Sequence, residues 1–155
     1  MKRRNSALRV LAVRSGLVTY LALLVGAWTA PLGAAELEVV VAGLRSDDGD
    51  VHIALYDKPE KFPESEGMLE EVEVPIAGRQ ARTVFRNLAD GRYAVAVYHD
   101  ENGNDDFDQG FLGVPLEDYG FSNEAIAFFG PPSFEAAAFT VGGATGIRID
   151  LGNTP

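Results

Sequence analysis

Cysteine is absent from the 155 residues, which excludes a disulfide scaffold, a thiolate zinc site, a cysteine nucleophile and a lipid-modified N-terminal cysteine. Histidine is scarce: only His52 and His99 occur, so any site must be built from oxygen ligands and at most two imidazoles. Also missing are a phosphate-binding glycine loop, an H-E-x-x-H zinc helix, a dinucleotide fingerprint and a G-x-S-x-G elbow. Ser122 lies in G-F-S-N and Ser133 in P-P-S-F. Basic residues number 13 against 23 acidic. What is present is an ordinary globular balance, 46% apolar and 23% charged, at a length that suits one domain with a modest core.

The first 35 residues form a separate unit. Lys2, Arg3, Arg4, Arg9 and Arg14 precede an uncharged apolar run from Gly16 to Ala30, closed by Pro31-Leu32-Gly33-Ala34-Ala35. Basic, apolar and small-residue regions in that order predict a signal peptide over 1–35, cut before Glu36. The competing reading is an uncleaved anchor, because the uncharged run from Ser15 to Ala35 approaches the length of a bilayer span. Cleavage removes five basic and no acidic residues, leaving 8 basic against 23 acidic, a net charge of −15. Such a chain repels phosphate backbones and anionic lipid, so the expected partner is a small ligand or an envelope protein and neither nucleic acid nor membrane. A soluble monomer in the periplasm or secreted is expected.

Residues 36–155 read as one β domain. Leu37, Val39 and Val41 share one face of a strand, as do Val51, Ile53 and Leu55, and Tyr93, Val95 and Val97. Further strands are predicted around Val72–Ile76, Gln80–Arg86, Val141 and Ile147–Leu151. Arg45–Asp50 has the Asp-Gly chemistry of a tight hairpin, with Gly49 at positive φ. In 57–67, Pro59 and Pro63 bracket one helical turn. About seven short strands without a long helix predict an all-β, antiparallel, immunoglobulin-like or transthyretin-like sandwich.

An insertion at 100–138 interrupts the strands and holds seven of the fifteen aromatics. Phe107, Phe111, Tyr119, Phe121, Phe128, Phe129 and Phe134 are expected to close one end of the sandwich as a satellite core, with a ligand pocket as the alternative. Asn123 and Ser133 are expected to cap short helices. The insertion opens on D-E-N-G-N-D-D-F-D, with oxygen side chains at positions 1, 3, 5 and 9 of a calcium-loop spacing. Asp100, Asn102, Asn104 and Asp108, with the Asp106 carbonyl, are the candidate metal ligands, and calcium the candidate cofactor. Position 6, ordinarily Gly, is Asp105, and position 12, ordinarily Glu, is Phe111, so a carboxylate from Glu101, Glu117 or Asp118 must substitute. The alternative is a solvated acidic turn. His52 is expected at the surface or rim, opposite the apolar face of its strand. His99, beside Asp100 and Glu101, is expected to hydrogen-bond neighbouring loop backbone; as a candidate general base it is the centre of an alternative reading as a small hydrolase or metal-dependent enzyme.

The runs Y-H-D-E-N-G-N, F-L-G-V-P-L-E-D-Y-G-F-S-N and F-G-P-P-S-F-E-A-A-A-F resemble the bacterial domain-of-unknown-function family numbered 2141, over Leu37 to Leu151. That resemblance implies export and names no reaction. The family's usual D-E-N-x-N-G has Gly where this chain has Asp105. Leu88–Val97 is similar, more distantly, to a strand of transthyretin-like and carboxypeptidase-regulatory-like sandwiches, in which Tyr93 would take the packing role of a tyrosine corner. The expected function is that of an exported, non-enzymatic, calcium-stabilised binding module.

Overall fold

The computed structural model describes residues 34–153, so the expected signal peptide lies outside the described residues except for Ala34 and Ala35. The strands are β1 (Ala35–Ala42), β2 (Asp50–Tyr56), β3 (Glu70–Pro75), β4 (Gln80–Leu88), β5 (Gly91–Asp100), β6 (Tyr119–Phe121), β7 (Phe139–Val141) and β8 (Ala144–Asp150). One short helix, α1 (Phe134–Ala137), precedes β7. A three-stranded sheet runs β4-β1-β8 and a five-stranded one runs β3-β2-β5-β6, with β7 also on β5. The fold is an all-β sandwich.

Alternation determines its interior. Leu37, Val39, Val41, Val51, Ile53, Leu55, Val95 and Val97 are all buried in one cluster between the sheets, joined by Phe85 and Tyr93. Each fully buried aliphatic side chain is worth roughly 1.5–3 kcal/mol. The Tyr93 hydroxyl donates to the Ala89 carbonyl at 2.9 Å, four residues upstream, which is the tyrosine-corner contact.

Two expectations about connectivity are corrected. The Asp-Gly turn before Asp50 does not close a hairpin: β1 is flanked by β4 and β8, and β2 by β3 and β5, so the turn carries the chain from one sheet to the other. Turn chemistry determines where the chain reverses, and the free edges determine what it then pairs with. The sandwich is also not wholly antiparallel. The chain leaves β7 on the five-stranded sheet, crosses at Gly142-Gly143, and lays β8 on β1 in the parallel sense, from Glu36 opposite Ala144 to Ala42 opposite Asp150.

The outer face of the five-stranded sheet is covered as well. Loop 57–69 and the insertion pack on it, so β2 is buried on both faces and a second cluster forms from Ala54, Tyr56, Ala94, Phe134 and Ala137. Tyr56 donates its hydroxyl to the Pro63 carbonyl at 2.8 Å, tying that loop down. The helical turn of this loop comes after Pro63, at Ser65–Gly67.

β6 and β7 pair successive stretches of β5, at 96–98 and 91–93, and Ser122 fills the gap. The Ser122 side chain accepts the Val95 N–H at 2.8 Å and donates to the Ala137 carbonyl at 2.7 Å. Ser133 caps α1 as expected, accepting the Ala136 N–H at 3.2 Å. Asn123 caps nothing: it sits at φ 58°, and its side-chain amide donates to the Ala136 carbonyl at 2.8 Å. The aromatic satellite core is only partly formed. Phe107, Tyr119, Phe121 and Phe134 pack on the sheet, whereas Phe111, Phe128 and Phe129 are exposed.

Candidate functional site

Two alanines leave a hollow on the outer face. Ala54 and Ala96 are cross-strand partners at the middle of β2 and β5, and neither side chain extends above the sheet. Larger side chains surround them. His52 stacks on Tyr98 at 4.6 Å, and ring contacts then run Tyr98–Phe107, Phe107–Tyr119, Tyr119–Phe121, Phe121–Phe62 and Phe62–Tyr56, between 4.9 and 6.0 Å. This arc encloses a cleft of about 390 Å3, completed by Pro63, Ser65 and Met68 on one side and Asp105 and Asp106 on the other. A larger hollow of about 590 Å3 lies between β6 and β8, but no polar side chain lining it is buried.

One end of the cleft is acidic. Residues 50 and 52 share the outer face of β2, and Asp100 is the cross-strand partner of Asp50. His52 is 4% exposed. Its Nδ1 lies 3.4 Å from Glu71 Oε1, while Nε2 lies 3.5 Å from Asp50 Oδ1, 3.9 Å from Asp100 Oδ2 and 4.0 Å from Asp105 Oδ1. Both His52 Nε2 and Asp50 Oδ1 are buried without a hydrogen-bond partner. The expectation of a surface or rim histidine is therefore corrected. Alternation did place His52 opposite the core, but the insertion buries that face too.

His99 is hydrogen-bonded to loop backbone, as expected, and not placed as a general base. His99 has the parity of Tyr93, Val95 and Val97, so it points inward, fully buried, with Nε2 donating to the Asp48 carbonyl at 2.8 Å. Asp100 points the opposite way. Ser122 and Glu117 do not converge on His99 to complete an acid–base site. Ser122 is instead bonded to Val95 and Ala137, and Glu117 accepts the Asp108 N–H at 3.1 Å.

The acidic loop closes on itself. Asp100 Oδ1 accepts the N–H groups of Gly103 at 2.7 Å and Asn104 at 3.3 Å, and Oδ2 accepts that of Asp105 at 2.7 Å. Burial alone would raise the Asp100 carboxyl, but those amides hold it below the usual carboxylate range. Asp105 takes φ 62°, the conformation that the missing glycine would supply. Asn102 donates to Asp108 Oδ2 at 2.6 Å, Asn104 reaches the same carboxylate at 3.3 Å, and the Asn104 side-chain Oδ1 accepts the Asp106 N–H at 3.0 Å. Asp106 itself is exposed.

Of the three substitute carboxylates, one reaches the loop. Glu101 accepts from Ser46 at 2.6 Å, and Asp118 pairs with Arg45 at 2.9 Å. Glu117, 8% exposed, binds the Asp108 N–H through Oε2 and leaves Oε1 buried without a partner. Its carboxyl is pushed up by burial, against the Asp108 N–H, and further by the charges of Asp100 and Asp108.

Compared with known proteins, residues 39–148 match the model of a family described as "Uncharacterized protein conserved in bacteria", DUF2141. Comparison with curated proteins and with solved structures gives no match.

Proposed function

Since the chain belongs to the DUF2141 family, we propose that it is an exported, non-enzymatic β-sandwich module that binds a small aromatic or apolar ligand in the outer-face cleft. The observation that carries this reading is the arc of rings around Ala54 and Ala96: an apolar hollow with a few polar groups at one end suits a small organic molecule. Export rests on the order of basic, apolar and small residues in 1–35. The binding reading is tested with a neutral fluorescent naphthylamine titrated into the chain cut at Glu36. Enhanced, saturable fluorescence is expected. Ala96→Leu fills the floor and should weaken binding at least about tenfold, a change of about 1.4 kcal/mol, at little cost to the fold. Equal binding by the variant, or none by the wild type, rejects the cleft.

We propose in addition that the loop of Asp100, Asn102, Asn104, Asp106 and Asp108 holds calcium, with Glu117 as the position-12 substitute. The observation favouring it is the buried, unpartnered Glu117 oxygen beside two further carboxylates. At an affinity of about 10⁻⁴ to 10⁻³ M, roughly 2 mM calcium adds about 0.7–1.8 kcal/mol, or several degrees of melting temperature. Glu117→Gln should abolish that rise. A carboxyl raised in the fold loses stability when it ionises, so the neutral variant is expected to melt no lower than wild type at pH 7 in chelator. Identical wild-type melting curves in calcium and in chelator reduce the loop to a charged turn.

A further inference from the structure

We infer that Asp50, His52 and Asp100 form a second cation site that takes a first-row divalent metal of the zinc class. Calcium does not suit it, because imidazole nitrogen is a ligand for zinc and its neighbours whereas calcium takes oxygen alone. The inference goes beyond the ligand of the cleft and does not depend on it.

The sheet register assembles the set. Two ligands come from alternate positions of β2 and the third from the strand position opposite the first, so three donors converge without help from a flexible segment. Like charges directly opposite each other on a sheet are destabilising, and Asp50 faces Asp100. Asp50, His52 and Asp100 each offer an atom within 4.8 Å of the others. In a tetrahedral site with bonds of about 2.1 Å, ligand atoms lie about 3.4 Å apart. The 3.5 Å from Nε2 to Asp50 already fits, and the 3.9 Å to Asp100 needs a closure of about half an ångström.

The second observation is the imidazole itself. A carboxylate can only accept, so Glu71 is placed to hold an N–H on Nδ1, and in that tautomer Nε2 presents its lone pair to the carboxylates on its other side. Nε2 is buried, and no donor reaches it. Metal-bound histidines characteristically donate their other nitrogen to a carboxylate, and Glu71 occupies that position. The backbone amide bond to Asp100 Oδ2 leaves that oxygen a further lone pair for a metal. Asp100 thus serves two neighbours: Oδ1 faces the calcium loop and Oδ2 faces His52.

The test titrates zinc into the mature chain by calorimetry, with calcium-dependent melting followed in parallel. One zinc per chain is expected. His52→Gln and, at the rim, Asp50→Asn should each weaken uptake at least about tenfold, as should Glu71→Gln, while leaving the calcium response intact. Glu117→Gln should do the reverse. Long-range proton–nitrogen spectra should show His52 in the Nδ1–H form, with Nε2 shifted by the metal. No zinc uptake at about 100 µM, uptake unchanged in both His52→Gln and Asp50→Asn, or a His52 ring that stays doubly protonated when zinc is added would overturn the inference.

Discussion

Gly49→Ala is expected to cost about 3–5 kcal/mol, more than any surface change in the chain, and to weaken calcium and zinc binding together. Gly49 has φ 68°, and a β-carbon there would overlap the Asp100 carbonyl oxygen and lie 2.9 Å from the Glu101 α-carbon. The left-handed conformation accounts for about 1–2 kcal/mol. The remainder comes from moving backbone, since the obstructing atoms belong to the end of β5, where Asp50 pairs with Asp100. Displacing that strand end pulls Asp100 out of both proposed cation sites. Gly78→Ala is the matched control: its φ is 61° and a β-carbon there meets nothing within 4 Å, so only the conformational cost applies. Urea denaturation of both variants measures the difference. Equal losses would mean that the approach of Gly49 to Asp100 contributes nothing.

Ser122→Ala is expected to cost about 2–4 kcal/mol although it removes a single oxygen. The hydroxyl replaces the strand pairing that β6 and β7 leave open, and its loss strands the Val95 N–H and the Ala137 carbonyl. An orphaned buried polar group costs about 1–3 kcal/mol, and no water reaches a serine that is fully buried. Amide exchange at Val95 should accelerate selectively. A loss under about 1 kcal/mol with Val95 still protected would show that the edge can re-pair without the hydroxyl.

Part of the site was legible in particular residues. The oxygen spacing of Asp100 to Asp108 was visible in the sequence, and Asp105, at the position expected to need positive φ, takes φ 62°. Glu117 was one of three candidate carboxylates, and the tertiary fold sets it apart: Glu101 is engaged by Ser46 and Asp118 by Arg45, while Glu117 accepts the Asp108 N–H. His99 carried its answer in its parity with Val95 and Val97, which outweighs its nearness to Asp100 in the chain. His52 could not be placed that way. Alternation identifies the face turned from the core, and nothing local says whether a distant insertion will cover that face.

The side-chain pattern by itself determined which face of each strand is buried, because period-two alternation is a local property and apolar surface leaves water whatever it then meets. It also determined that residues 36–155 form a β-sandwich. Strand partners, the parallel placement of β8 on β1 and the ring of aromatics around Ala54 and Ala96 were decided only in the folded molecule. Backbone hydrogen-bonding edges are chemically alike in every strand, so the strand sequences do not say which edges will meet. Asp50, His52 and Asp100 came together through that choice of edges.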